Sequence, residues 1–353
     1  MPSDGTLYLD RNENLYGPAP ACYDVLRSIT LNELSVYSRD YIRGVKSPLS
    51  ERLAITLGIP ESQLLLGEGS EDLLKQAVHC YLGSGDRILC PAQSWWYYQA
   101  LAAEVGGETV TYSLKRGADS YTFDIDEMLA LYGKYSPKIV LVASPNNPTG
   151  NSFPGSELSR LASAFRESVV ILDEAYWGFG NSASSSLAVS ADQYPNLMIL
   201  RTFSKYYALA GARIGFAIVG KNLERLTRFA ARYLGHNRIS EALALAALDS
   251  EDYYTTVREK IRGDRERYYE LFASIPGFRA YRSDANFILV QLPAATKDRL
   301  QEFLAVRRIR IKYFSEPEFQ EFIRITIGTR DQNDAFLQGF KDFAQNNRGE
   351  SVR

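Results

Sequence analysis

One short stretch, Arg201-Thr-Phe-Ser-Lys205, sets a lysine and two hydroxyls side by side, and Ala210-Gly-Ala-Arg213 follows closely with a second arginine. A lysine held in a fixed, partly desolvated loop gives up its proton more easily than a surface lysine, and its neutral amine can condense with an aldehyde. The apolar runs Leu197–Leu200 and Ile214–Val219 flank the stretch and predict buried strands, so Lys205 belongs to a loop at a sheet edge. A second group suits an anion. Leu64–Leu66 runs into Gly67-Glu-Gly-Ser-Glu-Asp72, after which helical spacing continues to Tyr81. That order of strand, glycine turn and helix start leaves backbone N–H groups of Gly69 and Ser70 free to cradle a phosphate, although a plain capped helix uses the same residues. Three further loops carry Trp95, Asn147 and Asp173-Glu-Ala-Tyr176. Taken singly, a tryptophan packs, an asparagine turns and an aspartate caps.

These residues need a scaffold, and the chain supplies one by alternation. Arg87–Cys90, Thr109–Tyr112, Lys138–Ser144 and Val169–Asp173 have strand character, and Trp95–Val105, Asp126–Tyr132 and Ser156–Arg166 have helical spacing between them. Alternation of this kind predicts an α/β architecture, a mainly parallel sheet between helices with its functional loops at the strand ends. Before it, residues 7–20 mix turn formers with polar residues and predict an extended arm; helices follow at Ala21–Ile29 and Ser47–Gly58. Beyond it, Leu223 to about Phe272 reads as long and helical. Strands at Asn286–Val290, Ile309–Lys312 and Phe322–Ile327, with helices at Lys297–Val306 and Asp334–Gln345, then predict a smaller α+β domain. The polar tail after Asn346 has the composition of a disordered end.

Composition narrows the chemistry. With 353 residues, 45% hydrophobic and 23% charged, the chain can bury a large core, and a net charge of −2 provides no overall field for nucleic acid. No opening signal segment and no apolar run of membrane-spanning length is present, which predicts a cytoplasmic protein without a membrane partner. Two histidines and three cysteines without C-x-x-C spacing leave little for a metal, and Gly-x-Ser-x-Gly is missing. The chemistry is therefore expected to be borrowed from an organic cofactor.

Asn12-Glu-Asn14, Ser144-Pro-Asn-Asn-Pro-Thr-Gly150, Asp173-Glu-Ala-Tyr176, Arg201–Lys205, Ala210–Arg213 and Arg324-Ile-Thr-Ile-Gly328 together resemble the pyridoxal-phosphate (PLP) aminotransferases of fold type I, the histidinol-phosphate aminotransferase group above all. The six motifs span nearly the whole chain in the family order. The resemblance implies an arm at 1–35 joining the small domain, a large PLP-binding domain at 36–245, and a connecting helix with a C-terminal small domain at 246–353. It makes Lys205, Asp173 and Tyr176 catalytic: Lys205 joins the cofactor aldehyde and shuttles a proton, Asp173 faces the pyridine nitrogen, and Tyr176 with Asn147 meets the phenolic oxygen. Trp95 would stack on the ring, and Gly69, Ser70, Thr202, Ser204 and Arg213 would hold the phosphate, with Tyr37 reaching across from a neighbouring subunit of a homodimer. Arg324 would take the substrate's anionic group, joined by Asn14, Tyr16 and Lys312, with Trp95 and residues 234–238 shaping the side-chain pocket.

Departures fall on the substrate side. Leu15 stands where relatives often carry proline, Leu234-Gly-His-Asn237 lacks the common Pro-Phe or Pro-Tyr, and Lys312 occupies the place of a second phosphate-binding arginine. A lysine meets a phosphate as a point charge and cannot grip it bidentately. The expected donor is therefore an L-amino acid held by its α-carboxylate, with an amino alcohol phosphate such as histidinol phosphate as the other donor and a 2-oxo acid as acceptor. The same scaffold also serves decarboxylases of the threonine-phosphate type and lyases, a choice set by which α-carbon bond stands perpendicular to the ring.

Overall fold

The computed structural model describes residues 5–180 and 193–350. The arm contains a short strand, β1 (Leu7–Leu9), where an irregular segment was expected, followed by helices α1 (Pro20–Ser28), α2 (Leu31–Ser35) and α3 (Pro48–Leu57). Ser47 caps α3 by accepting from the Ser50 N–H, and Gly58 ends it in the left-handed region at φ 65°. Then come β2 (Leu64–Gly67), α4 (Ser70–Tyr81), β3 (Arg87–Pro91), α5 (Tyr97–Glu104) and β4 (Glu108–Tyr112). A hairpin of β5 (Leu114–Arg116) and β6 (Tyr121–Phe123) precedes α6 (Ile125–Tyr135), β7 (Ile139–Ala143), α7 (Gly155–Ala164), β8 (Val169–Asp173), β9 (Leu197–Thr202) and β10 (Gly215–Val219).

Seven strands form one sheet in the order β2-β10-β9-β8-β7-β3-β4. All neighbours are parallel except β10, which runs against both β2 and β9. Its central strands are apolar up to their C-terminal ends because both faces are covered: Val140, Val142, Val170 and Leu172 join one core, and Ile139, Leu141, Ile171 and Met198 join the other. Each such buried side chain contributes about 1.5–3 kcal/mol of transfer free energy.

The expected continuous helical region divides into α8 (Glu224–Phe229), α9 (Arg238–Leu248) and α10 (Glu251–Ala273). Gly235 at φ 81° breaks the first junction, and Asn237 caps α9 by accepting from the Ser240 N–H at 3.1 Å. The second sheet completes the chain with β11 (Arg279–Tyr281), β12 (Phe287–Gln291), α11 (Lys297–Val306), β13 (Ile309–Tyr313), β14 (Phe322–Thr326) and α12 (Arg330–Glu350). Its order is β1-β13-β14-β12-β11, with β1 parallel to β13 and the remaining pairs antiparallel. Helical backbone continues through 347–350, where a disordered tail was expected; the rest of that tail lies outside the described residues. No helix among the described residues is long and apolar enough to cross a membrane.

Candidate active site

Register brings the chemistry to one edge. Ala143 pairs with Asp173 and Asp173 with Leu200, so β7, β8 and β9 release Asn147, Asp173 and Lys205 at the same C-terminal side of the sheet. Because β10 runs the other way, its first residue Gly215 lies beside Thr202 and Gly67, which sets the start of α4 at that edge too. A cleft of about 760 Å³ opens there. Ser70, Trp95, Asn147, Asp173, Tyr176, Thr202, Ser204, Lys205, Arg213, Lys312 and Arg324 all line it.

The anion cradle is built from close approaches. Arg213 donates to Ser204 Oγ at 3.3 Å and to the Glu68 carbonyl at 3.3 Å, and Ser204 Oγ accepts from Thr202 Oγ1 at 3.0 Å. Gly69 sits at φ 85° with the Arg213 guanidinium so near that a Cβ would lie 2.8 Å from Nη2. Glycine is favoured there for its conformation, and any side chain would push the Arg213 head aside.

At the floor, Asp173 is 5% exposed; its Oδ2 accepts from the Tyr98 hydroxyl at 2.9 Å and its Oδ1 from the Ala175 N–H at 3.0 Å. Burial pushes its carboxyl above the usual carboxylate range, against the lowering effect of these two bonds. A cation brought to its open side would favour the carboxylate form. Beneath it, Glu174 receives Arg201 Nε at 2.8 Å in a buried pair, with the Arg201 guanidinium 4.2 Å over the Trp177 ring. Lys205 Nζ donates to the Arg11 carbonyl at 3.1 Å and lies 5.7 Å from the Tyr176 ring. On the opposite wall Arg324, 7% exposed, bonds Asn147 Oδ1 through Nη1 and the Asp10 carbonyl through Nη2 at 2.7 Å. Lys312 is its cross-strand neighbour.

Four expected site residues lie elsewhere. Gly69 supports the cradle from behind. Asn14 donates to the Tyr206 carbonyl at 2.9 Å and accepts from the Tyr16 N–H, while the Tyr16 carbonyl takes the Tyr253 hydroxyl at 3.1 Å. Both residues pin the arm to the body, and their side chains do not line the cleft. Tyr37, 69% exposed, borders a separate groove with Tyr233 and Leu234, so residues 234–238 do not shape the cleft of this chain. The cleft residues outside the expected set include Tyr98 and Asn12. Tyr98 lies three positions after Trp95, a helical spacing that signals a shared face. Asn12, not Asn14, is the asparagine of its motif that enters the cleft; it adopts φ 55°, a conformation asparagine tolerates better than most residues.

A family model for aminotransferases of class I and II matches residues 9–340. The chain belongs to that family, and with it to the fold type I PLP-dependent enzymes. Among its relatives, the histidinol-phosphate aminotransferase of Bacillus velezensis is 32% identical over 332 residues, covering 93% of this chain and 89% of its own. That of Ruminiclostridium cellulolyticum is 30% identical over 333 residues, with 93% and 90% covered. The crystal structure of histidinol-phosphate aminotransferase from Sinorhizobium meliloti in complex with pyridoxal-5'-phosphate is similar with a TM-score of 0.85 at 26% identity, over 97% of this chain and 91% of that one.

Proposed function

We propose that this aminotransferase holds PLP in the cleft, and that it moves the amino group of an L-amino acid, bound by its α-carboxylate at Arg324, to a 2-oxo acid. The observation that carries the reading is the meeting in one cleft of an amine at Lys205, a buried carboxylate at Asp173 and an anion cradle around Arg213. These residues fit the cofactor: the cradle of Ser204, Thr202 and Arg213 beside Gly69 suits a phosphate, and Asp173 suits a protonated ring nitrogen. PLP, when bound, supplies an aldehyde to capture the amino group and a ring that withdraws electrons from the α-carbon.

The chain's own residues do the rest. Lys205 Nζ accepts the α-proton and returns one to the product, for which it gives up its hydrogen bond to the Arg11 carbonyl. Asp173 holds a positive charge opposite it, and Tyr98 and the Ala175 N–H keep that carboxylate in place. Trp95 offers a stacking face. Arg324 has two of its nitrogens fixed by Asn147 and Asp10, and its buried Nε has no partner among the described residues, so it presents an oriented cation to a carboxylate. Residues 36–245 would form the cofactor-binding unit of a homodimer, to which Tyr37 of each copy contributes at the partner's phosphate. The exposed Leu31, Leu34, Ile42 and Tyr233 support such a partner surface.

The test is a donor panel. Single amino acids and histidinol phosphate are each incubated with 2-oxoglutarate or pyruvate and the PLP-loaded protein, and new amino acid and carbon dioxide are both followed. Amino transfer from a free amino acid without gas, abolished in Lys205→Ala by roughly 10⁴-fold or more, is the expected outcome. Gas without amino transfer would make the protein a decarboxylase. A clear preference for histidinol phosphate in kcat/KM, weakened selectively by Lys312→Ala, would replace the carboxylate donor with a phosphate one.

A further inference from the structure

Three consecutive arm residues each touch a different functional side chain. The Asp10 carbonyl accepts from Arg324, the Arg11 carbonyl from Lys205, and Asn12 Nδ2 donates to the Tyr176 hydroxyl at 2.9 Å. Asn12 is 1% exposed and held on every side: its N–H donates to Thr326 Oγ1 at 3.0 Å, its Oδ1 accepts from that hydroxyl at 3.3 Å, and its carbonyl accepts from Asn286 Nδ2 at 3.1 Å. With Oδ1 committed to Thr326, the amide can present only its NH₂ end to Tyr176.

We infer that Asn12 is a positioning residue that turns the Tyr176 hydroxyl into a donor directed at the cleft. An oxygen that accepts from Asn12 cannot also send its own hydrogen that way, and Phe287, packed edge-on at 5.0 Å, offers the ring no acceptor. The hydrogen is left to the cleft side, which Lys205 and Arg324 line as cations and where Asp173 is already engaged by Tyr98. Because Thr326 ends β14, two residues beyond Arg324, the bond also ties the phenol's orientation to the strand that receives the substrate.

The inference rests on the PLP reading above, and one experiment separates the two. Asn12→Asp preserves size and tolerates the same backbone conformation, yet replaces the donor by an anion that accepts the phenol's hydrogen and draws it out of the cleft. Withdrawal of a donor and addition of a negative charge both favour the protonated form of the bound chromophore. The pH midpoint of the visible band of the PLP-loaded protein should therefore rise by about one unit. Asn12→Gly, which suits φ 55° and removes only the amide, should give a smaller shift. In a Tyr176→Phe background the Asn12→Gly shift should vanish, and the Asn12→Asp shift should shrink to the part its charge alone produces. Equal shifts in both backgrounds, or no shift in either, would overturn the positioning role. If the unsubstituted protein takes up no PLP and shows no visible band, it is the functional reading that fails.

Discussion

Arg324 is the residue whose environment most limits what can bind. Burial lowers its affinity for its proton, and only the electrostatic pull of Tyr176 and Asp10 opposes this, so the guanidinium gains most when an anion arrives. Arg324→Ala should raise the donor's KM steeply and lose roughly 2 to 5 kcal/mol in kcat/KM, because a desolvated carboxylate is left without its partner. Steady-state kinetics on the best donor of the panel checks this; a change confined to kcat would place the carboxylate elsewhere. Asp173 was legible as a strand-end aspartate in its motif. Its partner Tyr98 was legible only through its spacing of three from Trp95, which places it on the same face without saying that its hydroxyl reaches the carboxylate.

At the scale of elements, the cradle depends on how closely α4 approaches β10. A Cβ on Gly215 would stand 2.6 Å from the Ser70 nitrogen and 2.7 Å from the Gly69 carbonyl carbon, both backbone atoms that cannot swing aside. Gly215→Ala should shift the start of α4 and weaken PLP binding by about 1 to 3 kcal/mol, as for other overpacked sites. Fluorescence titration of the apoprotein reads it directly. A second consequence belongs to α9. Glu241, 4% exposed at its first turn, is pushed up to about 7 by burial, and its Oε1 has no partner among the described residues. A carboxyl whose folded value exceeds its unfolded one binds more protons when folded. Its favourable contribution is thus present below about pH 4.5 and lost as pH rises towards 7. Glu241→Gln should raise stability at pH 8 by on the order of 2–3 kcal/mol and gain nothing at pH 4, as measured by thermal unfolding at both values.

The whole molecule leaves a face of unusual character. Leu31, Leu34 and Ile42 are 84%, 62% and 69% exposed, and Tyr233 is almost fully exposed, on segments joined by Arg238 bonds to the Asn32 and Val36 carbonyls. Isolated apolar side chains at a surface need no explanation, but a group on adjoining segments suits a partner. Light scattering should report twice the mass of one chain, and Leu34→Asp combined with Leu234→Asp should yield monomers that retain PLP less well. A monomeric unsubstituted protein would rule out the shared site and any role for Tyr37 in it.

The large sheet was legible because its strands are buried on both faces, so that runs such as Ile139–Ala143 and Val169–Asp173 announce themselves by composition alone. The cofactor motifs were legible for a related reason: they sit in short loops directly after those strands, and the register of a parallel sheet then fixes which edge they share. The three-residue strands β1, β5, β6 and β11 were not, since three residues are too few to show a period, and β1 in addition depends on a partner at the far end of the chain, β13. The arm shows the same limit at finer scale. Its motif Asn12-Glu-Asn14 was apparent in the chain, yet which asparagine enters the cleft was decided by Thr326, 314 residues away, and by Tyr206, which holds the other. Sequence patterning specifies local structure and the order of elements, whereas a site assembled across an arm and two sheets depends on contacts that only the folded chain creates.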